Sequence, residues 1–315
     1  MIAFGPVPSR RLGHSLGINN VIPKHCSYSC IYCQVGQTRY CQVQRQVFYQ
    51  SHRVFRQVYH KLHQAKALQT PIDYLSFVPN GEPTLDKMLG EEIVLLKQLN
   101  TKIAVITNAS LLHSEEVRHD LAQADLVSLK IDALSPSRWR AINRPHPALR
   151  FEDVIAGIHT FAKEFEGTLF TETMLIKGIN DNHDEISKIA EFLTSIQPSK
   201  AYIGVPTRPP AESWVTLPHE QQLNMAYHIL KETIGRERVE LLIGYEGNMF
   251  LTTGSVEQDL LSITSVHPMR KEAVIAFLAQ ARTSWKVVET LLAEGKLSEL
   301  VYQGRTFYLR TLPKN

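Results

Sequence analysis

The sequence predicts an α/β protein: a partial (β/α)6-type parallel barrel followed by a small winged-helix-like domain. Three observations carry this. Short apolar, β-branched runs recur along residues 1–255. Helix-period segments of about 10–15 residues separate them, the signature of βαβ units and a parallel sheet. Six or seven such units are too few for an eightfold barrel, so the sheet is expected to stay open. From Ser265 the alternation gives way to two helices and a hairpin, so the second unit is expected over residues 265–315.

Taken in order, residues 1–20 are rich in Gly, Pro and Arg, with a short strand expected over 15–18. Arg10 and Arg11 are candidate anion contacts. Val54, Val58, Leu62 and Ala65 recur at helical spacing. Residues 73–78 read as a strand entering the turn Pro79-Asn80-Gly81-Glu82-Pro83. Leu85, Leu89, Leu96 and Leu99 mark the next helix, and residues 102–107 a buried strand ending at Asn108. Ser114 is the expected N-cap of a helix through Leu121. Further strands are expected over residues 126–131, 168–176, 201–205 and 239–243. Helices between them are marked by Val154, Ile158 and Phe161, by Ile186, Ile189, Ala190 and Leu193, and by Leu223, Tyr227, Leu230 and Ile234. In the tail, residues 270–281 read as a helix, and Ser284 as the cap of another that stops at Gly295. A Gln303-Gly304 turn then joins two short strands.

Hydrophobic content of 43% and charged content of 21% are ordinary for a globular chain. No apolar run approaches the roughly 18 residues of a membrane span. The first residues, Met1-Ile2-Ala3-Phe4-Gly5-Pro6, do not read as a signal peptide. Four cysteines, three of them close together, fit a reducing compartment, so a cytoplasmic location is expected. The net charge of +3 argues for no partner, but its distribution is uneven. From Val266 onward eight Lys and Arg face four Glu, an excess of four, and the preceding residues carry −1.

The strongest motif is Cys26-Ser27-Tyr28-Ser29-Cys30-Ile31-Tyr32-Cys33. A loop with thiolates at such intervals can wrap its sulfurs around several irons. Three protein ligands to a four-iron cluster leave one iron open for a substrate or cofactor. Structural zinc is the alternative, but it wants four ligands, usually as two separated pairs. None of the thirteen histidines falls in a ligand-like cluster, so no second metal site is expected.

This spacing, with Tyr32 just before the third cysteine, resembles the signature of the radical S-adenosylmethionine (SAM) enzymes. The resemblance implies a four-iron–four-sulfur cluster on Cys26, Cys30 and Cys33, with SAM chelating the open iron. It implies that Asn80, Gly81 and Glu82 serve the SAM amino end, with Asn80 where the family carries a glycine. It places Thr107 and Asn108 near the methionine end or the ribose. Ser128, Lys130 and Asp132 alternate along one strand and so share a face. Lys130 is a candidate for the SAM carboxylate and Asp132 for orienting it or a ribose hydroxyl, a buried ion pair being the alternative. Met174, in the stretch Glu172-Thr173-Met174-Leu175-Ile176, and Tyr32 are placed beside the adenine.

At a finer level, residues 5–13, Gly81-Glu82-Pro83-Thr84 and Arg208-Pro209-Pro210-Ala211-Glu212 resemble small iron–sulfur oxidoreductases related to the wyosine-synthesis, tRNA-modifying enzymes. Cys41 alone cannot supply the second cluster that the wyosine enzymes carry, and is read as a spectator. The resemblance implies an external electron donor such as flavodoxin or ferredoxin. The expected activity is reductive cleavage of SAM, giving a 5′-deoxyadenosyl radical that takes hydrogen from a macromolecule. RNA is the first expected substrate and a peptide or protein the second, recruited by the tail, which is expected to be dispensable for the cluster. A different class of reading is a non-catalytic iron–sulfur regulator that binds DNA through the winged helix.

Overall fold

The computed structural model describes residues 2–243, 250 and 255–311. The chain opens with an antiparallel hairpin, β1 (Ala3–Ser9) and β2 (Gly13–Ile18), then a loop holding the paired two-residue strands β3 (His25–Cys26) and β4 (Tyr40–Cys41). There follow α1 (Ser51–Ala67), β5 (Tyr74–Phe77), a 3-10 turn (Pro83–Leu85), α2 (Leu89–Lys97) and β6 (Lys102–Thr107). Next come α3 (Glu115–Ala122), β7 (Leu126–Lys130), α4 (Pro136–Asn143), α5 (Phe151–Glu164) and β8 (Thr168–Met174). The alternation ends with α6 (His183–Ile196), β9 (Lys200–Gly204), α7 (Glu220–Ile234) and β10 (Val239–Leu242).

Among the described residues, eight strands form one sheet in the order β1-β2-β5-β6-β7-β8-β9-β10. From β2 to β10 every neighbouring pair is parallel. The sheet curls into a half-barrel with helices outside, as the alternation of the sequence requires. Its central strands are buried on both faces, so Ile103, Ala104 and Val105 of β6 are all at 0% exposure. Val54, Val58, Leu62 and Ala65 of α1 are buried on the sheet, as their spacing predicts.

Several local expectations are corrected. β1 was not foreseen, because Gly5, Pro6 and Pro8 argue against a strand; it lies at the sheet edge, where proline is tolerated. Leu85 lies in the 3-10 turn and Leu99 beyond the helix, so α2 is shorter than the leucine spacing suggested. Ser114 sits at the N-cap of α3 but its side chain makes no cap hydrogen bond. Ser284 does not cap the second tail helix: Trp285 takes that position in an already helical backbone. α4 was not foreseen, since only Trp139, Ile142 and Asn143 of its eight residues are buried.

After β10, α8 (Val256–Val266) leads to β11 (Met269–Arg270), α9 (Lys271–Gln280), α10 (Lys286–Ala293) and the hairpin β12 (Leu297–Tyr302) and β13 (Arg305–Arg310). The three tail strands form an antiparallel sheet in the order β11-β13-β12. Gln303 and Gly304 both have positive φ, as a two-residue hairpin turn of the primed type demands. α8, which falls between the two expected units, packs with Phe4 and Val7 of β1 and with Phe277 and Tyr308 of the tail in one apolar cluster. A buried ion pair between Lys61 of α1 and Asp259 of α8 adds a second tie. No helix among the described residues is long and apolar enough to cross a membrane.

Beneath α2 two carboxyls are buried together. Burial pushes Asp86 up to about 7, and burial with the neighbouring Asp86 pushes Glu92 well up. The native state therefore holds protons that the unfolded chain has released above its ordinary carboxyl pKa, 3.8 for Asp86. Stability should then fall as pH rises from about 4 through about 7. Glu92→Gln should flatten this fall in Tm; a slope equal to that of the wild type would contradict the assignment.

Candidate functional site

The site lies at the carboxyl ends of the parallel strands, where parallel α/β folds place their chemistry. The loop after β2 crosses these ends and is fastened on two sides. On one side, the Lys24 amide donates to Asn80 O (2.7 Å) and the Glu82 amide to His25 O (3.0 Å). On the other, Ser29 N donates to Asn143 O and Ile31 N to Ile142 O, both at 2.9 Å. Buried Tyr28 accepts from Trp139 Nε1 at 3.0 Å and anchors the middle of the loop. Gly81 is required by close approach: a Cβ there would lie 2.0 Å from His25 O.

Cys26, Cys30 and Cys33 all line one cleft. The same cleft is lined by Tyr32, Asn80, Gly81, Lys130 and Met174. Eight of the thirteen expected site residues thus meet in one place. Glu82, Thr107, Asn108, Ser128 and Asp132 do not line it. Their side chains are committed elsewhere, apart from Ser128 Oγ, which is buried without a hydrogen-bond partner.

Glu82 is 1% exposed, and its carboxylate accepts from Thr84 N and Oγ1, Thr107 Oγ1 and Asn108 N. Burial pushes this carboxyl up against the pull of those hydrogen bonds. Glu82 is therefore a clasp that joins the ends of β5 and β6, while Asn80 and Gly81 line the cleft. Asn108 Nδ2 donates to Ser27 Oγ at 2.9 Å and reaches Cys26 Sγ at 3.6 Å. Asp132 accepts from the Tyr32 hydroxyl, from Asn143 Nδ2 (2.8 Å) and from Met174 N (2.9 Å). Lys130 pairs with Glu172 at 2.6 Å, not with Asp132, and its ammonium stands 5.2 Å from the Tyr32 ring centroid.

Sequence reasoning missed four contributors. Asn143 Nδ2 lies 3.4 Å from Cys30 Sγ, on a helix with a weak pattern. Lys24 Nζ is buried without a hydrogen-bond partner. Burial lowers its pKa, and the thiols of Cys33 and Cys26 oppose that shift. Glu172 is held by Arg11 and Lys130. Burial alone would raise its carboxyl, but these two cations outweigh burial and hold it at about 2. Arg208 donates to Gln34 Oε1 at 2.7 Å and lies 3.1 Å from His267 Nε2. Of the two arginines named early, Arg11 reaches Glu172 and Arg10 reaches Leu241 O at 3.5 Å.

The donor set fits an anionic iron–sulfur cluster. Three thiols, two asparagine N–H groups aimed at sulfur and one buried, unpartnered ammonium supply ligands, hydrogen bonds and a counter-charge. Among the described residues no three His, Cys, Asp or Glu gather as for a single ion. A cubane instead puts each thiolate on its own iron, which spreads them apart. Cys41 is exposed and stands outside the cleft.

The half-barrel and the three-cysteine loop define a radical SAM protein. Residues 20–193 match the radical SAM superfamily, and the chain belongs to it. A UPF0026 protein of Methanocaldococcus jannaschii is 42% identical over 311 residues, covering 99% of this chain and 96% of that one. Among solved structures, Streptococcus suis SuiB bound to the precursor peptide SuiA is similar with a TM-score of 0.54 at 14% identity, covering 73% of this chain and 48% of SuiB. TYW1 with a lysine–pyruvate adduct, a wyosine-synthesis enzyme, has a TM-score of 0.50 at 17% identity, covering 69% of this chain and 73% of that one. The cofactors of the superfamily, a four-iron–four-sulfur cluster and SAM, are those of this chain.

Replacing Cys26, Cys30 or Cys33 with Ala should abolish the brown colour and the roughly four irons per chain, and Cys41→Ala should keep both. Iron analysis after anaerobic reconstitution checks this. Full iron in any of the first three variants would overturn the ligand assignment.

Proposed function

We propose that this protein is a radical SAM oxidoreductase or transferase that abstracts hydrogen from a macromolecular substrate, RNA first and a peptide or protein second. The observation that carries this reading is the convergence of Cys26, Cys30 and Cys33 with the Asn80–Gly81 backbone and Met174 around one open cleft. Held by Cys26, Cys30 and Cys33, the cluster together with SAM would supply one-electron reductive cleavage, with the electron from a donor such as flavodoxin or ferredoxin and with methionine and, after hydrogen abstraction from the substrate, 5′-deoxyadenosine as products.

The chain's own groups divide the remaining work. Cys26, Cys30 and Cys33 hold the cluster, and Asn108 and Asn143 donate toward two of the sulfurs. The backbone at Asn80 and Gly81 faces the amino end of SAM, and Glu82 keeps that backbone in place through Thr84, Thr107 and Asn108. Met174 and Tyr32 bound the adenine side, with Asp132 orienting the Tyr32 hydroxyl. Lys130 is the cation nearest this side and is shared with Glu172.

The tail recruits the substrate in this reading. It also borders the cleft: Gln34, next to Cys33, donates to Val266 O at 2.9 Å, and the Tyr302 hydroxyl donates to Pro206 O at 2.9 Å. Its exposed basic residues, Arg282, Lys286 and Arg305 among them, suit a polyanion.

Reduced, reconstituted protein should release 5′-deoxyadenosine from SAM slowly without substrate, and Gly81→Ala should lower SAM affinity by about tenfold or more. Chromatography of the products and equilibrium binding measure the two. Absence of 5′-deoxyadenosine from protein with a full cluster would favour the DNA-reading regulator instead.

A further inference from the structure

Charge along this chain is segregated more sharply than its net value shows. No Asp or Glu precedes Asp73, and nine Lys and Arg fall in those first 72 residues. The cysteine loop belongs to this stretch, and outside the cleft it carries an apolar, aromatic patch. Ile22, Tyr40 and Val47 are 45%, 51% and 47% exposed, and none of them lines the cleft. They are tied together around His25, the residue before Cys26. The His25 ring stacks on Tyr40 at 4.4 Å and meets Phe48 edge-on at 5.2 Å, and its Nδ1 lies 3.1 Å from Ile22 O. The β3–β4 pairing sets Tyr40 opposite His25 and Cys41 opposite Cys26. The patch thus abuts a cluster ligand without entering the cleft. Exposed cations rim it. Arg39 precedes Tyr40, Lys87 N donates to Gln46 O beside Val47, and Arg53 stands 5.5 Å from the Tyr49 ring centroid. The first turn of α1 holds His52 and Arg53 and no acid, although the positive end of a helix favours acids. Carboxylates in this part of the fold are already met or hidden: Glu82 and Asp86 are buried, and Glu116 and Asp120 pair with Arg45.

We propose that this outer face of the cysteine loop docks an acidic flavodoxin, which passes on the one electron that the cluster needs. The inference rests on the preceding reading that an external carrier reduces the cluster, and it names that carrier and places it. An apolar centre within a polar rim is the anatomy of a protein interface, and redox encounters use small ones. Opposite charge steers such a partner toward the rim. Exposed aliphatic Ile22 and Val47 suit a protein surface better than a nucleic acid. The planar Tyr40–His25 stack offers a flat seat for the apolar edge of an exposed flavin. In the transfer one electron leaves the flavin hydroquinone and enters the cluster, and no bond or proton moves with it.

The test uses the full chain with its cluster reconstituted and oxidised, mixed anaerobically with an acidic flavodoxin in its hydroquinone form. Stopped-flow absorbance of the flavin gives the second-order rate of transfer. This rate should fall as salt rises, and Tyr40→Ser and Arg39→Glu should each lower it by about tenfold at low salt. Both side chains are exposed, so iron content and reduction by dithionite should match the wild type, and the lost rate then reports docking. Lys163→Glu, at an exposed cation of α5, should leave the rate unchanged. Unchanged rates in both loop variants, or an equal loss in Lys163→Glu, would overturn the proposal. So would another occupant of the face: short random-sequence RNA that loses affinity in both loop variants while flavodoxin transfer holds, or a ferredoxin that reduces the cluster where flavodoxin does not. Release of 5′-deoxyadenosine under dithionite is read separately, so its failure would sink the radical reading and leave the docking face standing.

Discussion

The site depends on one close backbone approach. Gly81 passes so near His25 O that any side chain at position 81 would collide with it, at 2.0 Å for a Cβ. That contact seats the turn after β5 directly against the residue preceding Cys26. The hydrogen bonds from Lys24 N to Asn80 O and from Glu82 N to His25 O can form only because the glycine is there. Glu82 then extends the same constraint to β6 through Thr107 and Asn108. A buried carboxylate with four donors has no room to move, so the ends of two parallel strands and the cysteine loop are set as one body.

Around that body the polar groups form two opposed layers. Toward the sulfurs, Asn108 and Asn143 offer N–H groups and Lys24 offers an unpartnered ammonium, an environment that favours negative charge on a cluster. Toward the far strands, Glu172 is compensated by Arg11 and Lys130 and stays ionised, with its carboxyl held at about 2. Tyr32 lies between the layers, its hydroxyl on Asp132 and its ring beneath Lys130. The tail closes one flank, since Val266 lines the cleft and its carbonyl accepts from Gln34 beside the third cysteine. The tail module thus shares a core with β1 and touches the cysteine loop.

What the sequence revealed follows from what is local. Cys26, Cys30 and Cys33 declare themselves because three ligands occupy eight consecutive residues. The strands β5, β6, β7 and β9 are legible as short, largely apolar and buried runs, and the Gln303-Gly304 hairpin as a turn that needs two positive φ values. What stayed hidden is long-range. Arg11 and Glu172 are separated by 161 residues and Lys130 and Glu172 by 42, so no local pattern announces their pairing. Asn143 sits on a polar helix whose amphipathic signal is too weak to read. Glu82 was visible as a residue, but whether its carboxylate faces the cleft or the neighbouring strand is decided by Thr84, Thr107 and Asn108 together. β1 was masked by the prolines that an edge strand tolerates.

The cysteine loop holds a cluster with one iron open to SAM in the cleft. The most direct measurement is the electron paramagnetic resonance spectrum of the reduced, reconstituted protein, recorded with and without SAM. SAM meeting the open iron should change the g-values of the reduced cluster, in Cys41→Ala as in the wild type. A spectrum that SAM leaves unaltered in both, with the cluster at full occupancy, would contradict the account.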